Sequence, residues 1–332
     1  MATPEALTLK PLAGFRCRIC DGVGPFQTYR VREMMFALGE RFDYALCAAC
    51  GCLQIVEIPT DLSRYYGAGY YSFGPRATPG RVGEALSRAR NRHLVGRTDP
   101  LGWVLAKLRP FRALASLKPL QLAHDARIVD VGCGSGELLL ALRSAGFTRL
   151  LGIDPFIERE LDLGGGLRVL RAELGSLPNS SFDLVMFHHS LEHIGDEHAA
   201  LRAAHGLLVP GGRCMVRIPT VSSYAWRHYG VDWCALDAPR HLVLHSTHSI
   251  RLLADRCGFR VTSISDDSTS FQFWGSEQYR RDIPLMRRGC NDIVPAPGAF
   301  LPSQLRDYVR LADQLNRQRD GDQIVVELQR IG

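Results

Sequence analysis

Three histidines fall within eight positions of the chain, His241, His245 and His248, in the stretch DAPRHLVLHSTHS. Spacings of four and three would align them on one helical face, either as a metal triad or as a base with two packing neighbours. Local signals separate them. Pro239 biases Ala238 away from helix, and HLVL reads as extended. Ser246 or Thr247 can cap the helix HSIRLLADRCGF, which stops near Gly258. A helix starting there cannot contain His241, so His245 and His248 are read as satisfied locally. His241 becomes the candidate general base, because an imidazole titrating near about 6.5 can take a proton from a hydroxyl at neutral pH. Its neighbour Arg240 is a candidate to hold a phosphate or carboxylate on a substrate.

The second group of chemically capable residues is CRIC at Cys17–Cys20 and CAAC at Cys47–Cys50. Two residues between thiolates let a tight turn aim both sulfurs at one ion, and two such turns make a closed tetrahedral site. Cys17, Cys20, Cys47 and Cys50 are therefore expected to hold a structural zinc ion. Gly22 and Gly51 are expected in left-handed conformations just after each pair, and Cys52 is read as a packing residue.

The elements that must position these residues come from the middle of the chain. RIVDVGCGSGELLLAL reads as strand, glycine turn (Gly132, Gly134, Gly136) and helix, an arrangement that brings backbone close to a nucleotide. Glu137 stands where a dinucleotide fingerprint would need glycine. Asp130 would repel phosphates but can help hold a cationic amino-acid group. Asp154, about twenty residues after the loop, can accept both ribose hydroxyls, and Glu173 can accept a hydrogen bond near an adenine amino group.

VDVGCGSG, GID, FDLV…LEHI and LVPGG occur in the order and spacing of the class I S-adenosylmethionine-dependent methyltransferases, which the chain resembles over residues 126–219. The resemblance implies an α/β fold with a seven-stranded, doubly wound (Rossmann-like) sheet. FRVTSI and DQIVVELQRI would be its sixth strand and an antiparallel seventh beside it, leaving an insertion or cap at about 270–320. It implies S-adenosyl-L-methionine as cofactor, with the glycine loop at the methionine part, Asp154 at the ribose and Glu173 by the adenine. His188 or His189 would lie near the sulfonium, and His193 is read as structural. The four-cysteine front end, the tyrosines of YYGAGYYSF and the late PRH are similar to a zinc-bearing subfamily that includes sugar C-methyltransferases. There the residue matching His241 is the base, and a tyrosine from the zinc module, here Tyr71, reaches the cleft. The glutamate expected just before the base is Arg240 in this chain.

Composition is that of a globular protein, with 46% hydrophobic and 22% charged residues in 332. No run is long and apolar enough to span a bilayer, and the first residues lack the pattern of a signal peptide. A cytoplasmic protein with reduced thiols is expected. Between Arg81 and Lys118 nine Lys/Arg face two Asp/Glu, a local charge of +7, read as a solvated helical face or as contact with an anionic substrate, membrane surface or nucleic acid. The expected organisation is a zinc module at 1–75, a basic helical connector at 76–124 and the cofactor-binding core at 125–332. The leading functional expectation is methylation of a sugar or nucleotide-sugar. RNA methylation is the alternative, although FHHSLEH lacks the Asn-Pro-Pro-aromatic pattern that holds a base amine. A non-catalytic cofactor-binding protein is the third.

Overall fold

Alternating polar and apolar residues early in the chain, and unbroken apolar runs later, produce two different sheets in the computed structural model, which describes residues 12–66, 80–287 and 292–332. Three strands lead: β1 (Phe26–Arg32), β2 (Arg41–Cys47) and β3 (Leu53–Ile55). The middle supplies β4 (Arg127–Val131), β5 (Arg149–Ile153), β6 (Leu161–Asp162), β7 (Arg168–Leu170), β8 (Phe182–His188) and β9 (Leu208–Pro219). β10 (Val243–Leu244), β11 (Phe259–Asp266) and β12 (Gln323–Arg330) follow.

The first sheet has the order β1-β2-β3-β10. It is antiparallel, with Phe26 opposite Cys47, Tyr44 opposite Ile55 and Val243 opposite Gln54. Of the HLVL run only Val243–Leu244 is a strand, with Leu242 at a bend, and that strand belongs to the cysteine-bearing sheet. The second sheet has the order β11-β12-β9-β8-β4-β5-β7-β6. β4 is parallel to both β5 and β8, and β7 is parallel to β5. Ile128, Val129, Leu184, Val185, Met186 and Phe187 are fully buried, which is why these strands read as continuous apolar runs rather than alternating ones. The expected seven strands are all present, with the last lying next to the sixth. An eighth, β6, adds antiparallel to β7 at the edge.

The chain divides into two compact units. One takes the described residues of 1–71 with 191–201 and 217–326; the other takes the described residues of 72–190 with 202–216 and 327–332. This corrects the expected boundaries. The sheet of the cysteine segment is completed by β10, and the helix Thr247–Arg256 is tied to its turns. The connector is helical as expected, at Arg81–Leu94 and Pro100–Leu108, but it belongs with the glycine loop. The described residues of 270–320 include the helices Phe271–Arg280 and Pro302–Gln318. Trp274 and Tyr279 pack into a core cluster with Met34 and Met35, so burial of apolar side chains fixes the insertion onto the first unit. No helix of the described residues is long and apolar enough to cross a membrane.

Candidate functional site

The two cysteine turns are built alike. In the first, the Cys17 amide donates to the Gly22 carbonyl at 2.9 Å and the Asp21 amide to the Cys17 carbonyl at 2.9 Å; in the second, Cys47 donates to Cys52 at 2.9 Å and Gly51 to Cys47 at 2.8 Å. The left-handed residues are Asp21 (φ 61°) and Gly51 (φ 73°). The expectation for Gly22 is thus corrected by one position. Gly22 is needed for room instead, since a Cβ there would lie 3.2 Å from the Cys20 sulfur. The four Sγ atoms lie within 4.8 Å of one another, with Cys17 to Cys50 at 3.5 Å and Cys20 to Cys47 at 3.6 Å. A tetrahedral zinc with Zn–S of about 2.3 Å spaces its sulfurs by about 3.8 Å, so the donor set fits that ion and leaves no coordination position for a substrate. Cys52 is 3.5 Å from Cys17, and the buried Gln54 amide donates to Cys17 at 3.1 Å and Cys52 at 3.0 Å. Hydrogen bonds from Cys50 and Cys52 hold the Cys17 thiol far below its ordinary range, while the bond to Cys17 raises Cys50 and burial raises Cys20.

The helix Thr247–Arg256 is fastened to both turns. Ser246 caps it, as the sequence predicts, in a capping box with Ser249. The Ser246 hydroxyl also donates to the Cys50 carbonyl at 2.6 Å. At the other end Arg256 donates to the Ile19 carbonyl at 2.8 Å.

In the second unit, Gly132, Gly134 and Gly136 all take left-handed conformations, with φ of 69°, 53° and 76°. A Cβ on Gly132 would lie 2.6 Å from Ser190, and one on Gly136 would lie 2.8 Å from Leu163; other residues are excluded on both counts. Asp154 accepts the Gly134 amide at 2.9 Å on Oδ2 and the Phe156 amide at 2.8 Å on Oδ1, which pins the loop. Asp130 is buried, and its Oδ1 has no hydrogen-bond partner among the described residues. Burial, reinforced by Asp154, pushes its carboxyl up to about 8. A buried carboxylate with an open acceptor beside a loop stripped of side chains suits a cationic ligand group, as the amino-acid end of S-adenosylmethionine would be. Glu173 is exposed, before the short turn Leu174–Ser176. His188 ends β8 and His189 follows in a left-handed conformation, their rings 5.6 Å apart.

In the first unit, His241 is buried, and its Nδ1 lies 2.8 Å from the Ala235 carbonyl oxygen. A carbonyl only accepts, so Nδ1 carries the proton and the Nε2 lone pair is left for chemistry. Two carboxylates face that nitrogen, Glu192 Oε1 and Asp237 Oδ2, each at 4.0 Å. The Tyr44 hydroxyl donates to the His241 carbonyl at 2.7 Å. The His193 ring sits 4.7 Å from the His241 ring, with Nδ1 2.9 Å from the Arg240 carbonyl and 3.1 Å from the Tyr66 hydroxyl. Burial and the neighbouring His241 lower its pKa. Donor atoms of Glu192, His193 and His241 lie within 4.8 Å of one another. Within this group the 4.0 Å from His241 Nε2 to Glu192 Oε1 exceeds the roughly 3.4 Å edge of a tetrahedral site built from nitrogen and oxygen ligands.

Arg240 is corrected. Its side chain is fully buried: Nε and Nη2 donate to Asp237, Nη2 to Glu33 at 3.1 Å and Nη1 to the Tyr65 carbonyl at 3.0 Å. All three nitrogens are engaged away from solvent, so it cannot receive a substrate anion. Burial alone would raise Asp237, but Arg240 outweighs it and holds that carboxyl below its usual range. His245 is satisfied locally by Ser249 at 2.9 Å but also, from a separate segment, by Glu197 at 3.0 Å, and His248 is exposed in the first helical turn. Tyr65 donates to Glu40 at 2.7 Å, which is a packing role; Tyr71 lies outside the described residues.

Sequence reasoning missed Glu192 and Asp237 as partners of His241. The acid sought next to the base in sequence is supplied across a turn and from a separate segment. The available signals were the Glu-His pair of LEHI and the aspartate four residues before His241.

Residues 103–264 match a family model described as a methyltransferase domain. An uncharacterized methyltransferase of Mycobacterium tuberculosis is 35% identical over 95 residues, 27% of this chain and 48% of that protein. A ubiquinone biosynthesis O-methyltransferase of Xanthomonas oryzae pv. oryzae is 30% identical over 151 residues, 40% of this chain and 63% of that protein. The chain thus spans about half the length of the first of these curated relatives. Among solved structures, an S-adenosylmethionine-dependent methyltransferase from Mesorhizobium loti aligns at a TM-score of 0.41 and 20% identity, covering 65% of this chain and 98% of that one.

Proposed function

We propose that this chain, whose residues 103–264 match a methyltransferase domain, transfers a methyl group from S-adenosylmethionine to a small-molecule acceptor, a sugar hydroxyl or carbon. Bound S-adenosylmethionine supplies a methyl on a sulfonium, an electrophile that already has a good leaving group. The protein's remaining tasks are binding, alignment and proton removal. Asp130 and the Gly132–Gly136 loop would hold the amino-acid end, Asp154 the ribose and Glu173 the adenine, with His188 close to the sulfur. The observation that carries the reading is the fixed tautomer of His241, with Nδ1 on the Ala235 carbonyl and Nε2 facing Glu192 and Asp237. As the acceptor oxygen takes the methyl, its proton passes to Nε2, and the two carboxylates stabilise the imidazolium that results. The O-methyltransferase names among the relatives support an oxygen acceptor; the sugar rests on the resemblance of the cysteine front end and His241. Tyr71 remains the tyrosine proposed to contact the acceptor. Cys17, Cys20, Cys47 and Cys50 would hold a structural zinc ion.

The test is transfer of labelled methyl from S-adenosylmethionine to a panel of nucleotide sugars, by wild type and His241→Ala, after equal cofactor binding is established. Transfer by wild type and its loss in the variant support the proposal. Intact cofactor binding without transfer to any sugar rejects the sugar acceptor, and RNA transcripts come next; no transfer to either would leave a cofactor-binding protein without turnover.

A further inference from the structure

The helix Pro100–Leu108 exposes to water a face of the kind that proteins bury. Its start is well made: the Asp99 side chain accepts the Gly102 amide at 2.8 Å, with Pro100 at the first helical position. Gly102 is turned inward against the helix Arg81–Leu94, where a Cβ would collide with the Ala89 carbonyl. Leu101, Val104 and Leu108, at i, i+3 and i+7, lie on the side away from it and are 53%, 44% and 72% exposed. Trp103 is 51% exposed, with the Lys107 ammonium 3.8 Å from its ring centroid. In the same segment, whose local charge is +7, Arg81, Arg88, Arg109 and Lys118 are exposed, and Arg92 is exposed but paired with Asp99 at 2.8 Å.

We propose that this helix and its basic surroundings form a docking surface for a membrane bearing anionic lipid. A stripe of three exposed apolar side chains in a basic segment matches the boundary between acyl chains and charged headgroups: the leucines and valine enter the apolar side, Trp103, further round the helix, lies toward the interface, and the lysine and arginines of the segment meet phosphate. Charge complementarity decides among occupants. A second copy of the chain would bring one +7 segment against another. A polyanion such as RNA would satisfy the cations but leave Leu101, Val104 and Leu108 in water.

The experiment is sedimentation of the full chain with vesicles of phosphatidylcholine alone and of phosphatidylcholine with about one-third phosphatidylglycerol. Retention on the anionic vesicles, weakening as added salt shortens the screening length, is expected. Replacing two exposed residues, Leu101→Asp with Leu108→Asp, should lower that retention by about tenfold or more with an unchanged circular dichroism spectrum. Absence of binding to anionic vesicles, or equal binding to both kinds, would overturn the proposal. So would a concentration-dependent dimer that the double variant dissolves, or RNA retention that it leaves untouched.

Discussion

His241 has one nitrogen committed to a backbone carbonyl and the other turned toward two acids, and this division is what a proton acceptor needs. Replacing it with alanine should reduce methyl transfer by about 10²–10⁴-fold at saturating cofactor, the usual worth of a positioned base, with the cofactor Kd unchanged. Steady-state rates with a separate binding titration check this. Asp130 makes a pH prediction. Its carboxyl is raised to about 8 in the folded protein without ligand, so it is mostly neutral at pH 6 and mostly charged above 8. A cationic ligand group prefers the charged form, so S-adenosylmethionine affinity should rise with pH between 6 and about 8 and then level off, by at most about tenfold per pH unit. Asp130→Asn should flatten that rise, and calorimetric titration at several pH values would read it. A profile that is level in wild type would sink the assignment.

Arg240 joins three separate pieces of chain: Glu33 just after β1, the carbonyl of Tyr65 and Asp237. Removing it strands two buried carboxylates, so Arg240→Met should cost about 3–5 kcal/mol of stability, the usual price of breaking a buried pair. Denaturant melts followed by circular dichroism would measure it, and a loss below about 1 kcal/mol would contradict the buried role. The sequence could not show this. An arginine beside a candidate base looks like an anion clamp until Glu33, more than two hundred residues away, is brought to its guanidinium. The main strands, by contrast, were legible, because the order and spacing of VDVGCGSG, GID, FDLV…LEHI and LVPGG resemble a known family, and the glycine loop fixes where the helix after it begins. β10 was half legible: HLVL reads as extended, but nothing local says that its partner is β3.

For the molecule as a whole, the cysteine cluster predicts one zinc per chain by elemental analysis. Cys50→Ser should lose the metal and lower the melting temperature, while Cys52→Ser should keep it, since Cys52 stands outside the four-sulfur set. Retention of zinc by the first variant, or its loss from the second, would reassign the ligands. The domain plan was the least legible level. Chain order suggested a module, a connector and a core, whereas the folded protein returns to the cysteine segment with residues from 191–201 and 217–326. Two features link that segment to the candidate base. Two residues after His241, Val243–Leu244 supplies the outer strand of the cysteine sheet, and the helix after it is fastened at both ends to the cysteine turns. In evolutionary terms the front end is therefore not a detachable appendage. A lineage that discarded it would keep an intact glycine loop and lose the footing of the candidate base, so the two are expected to be inherited, traded or lost together.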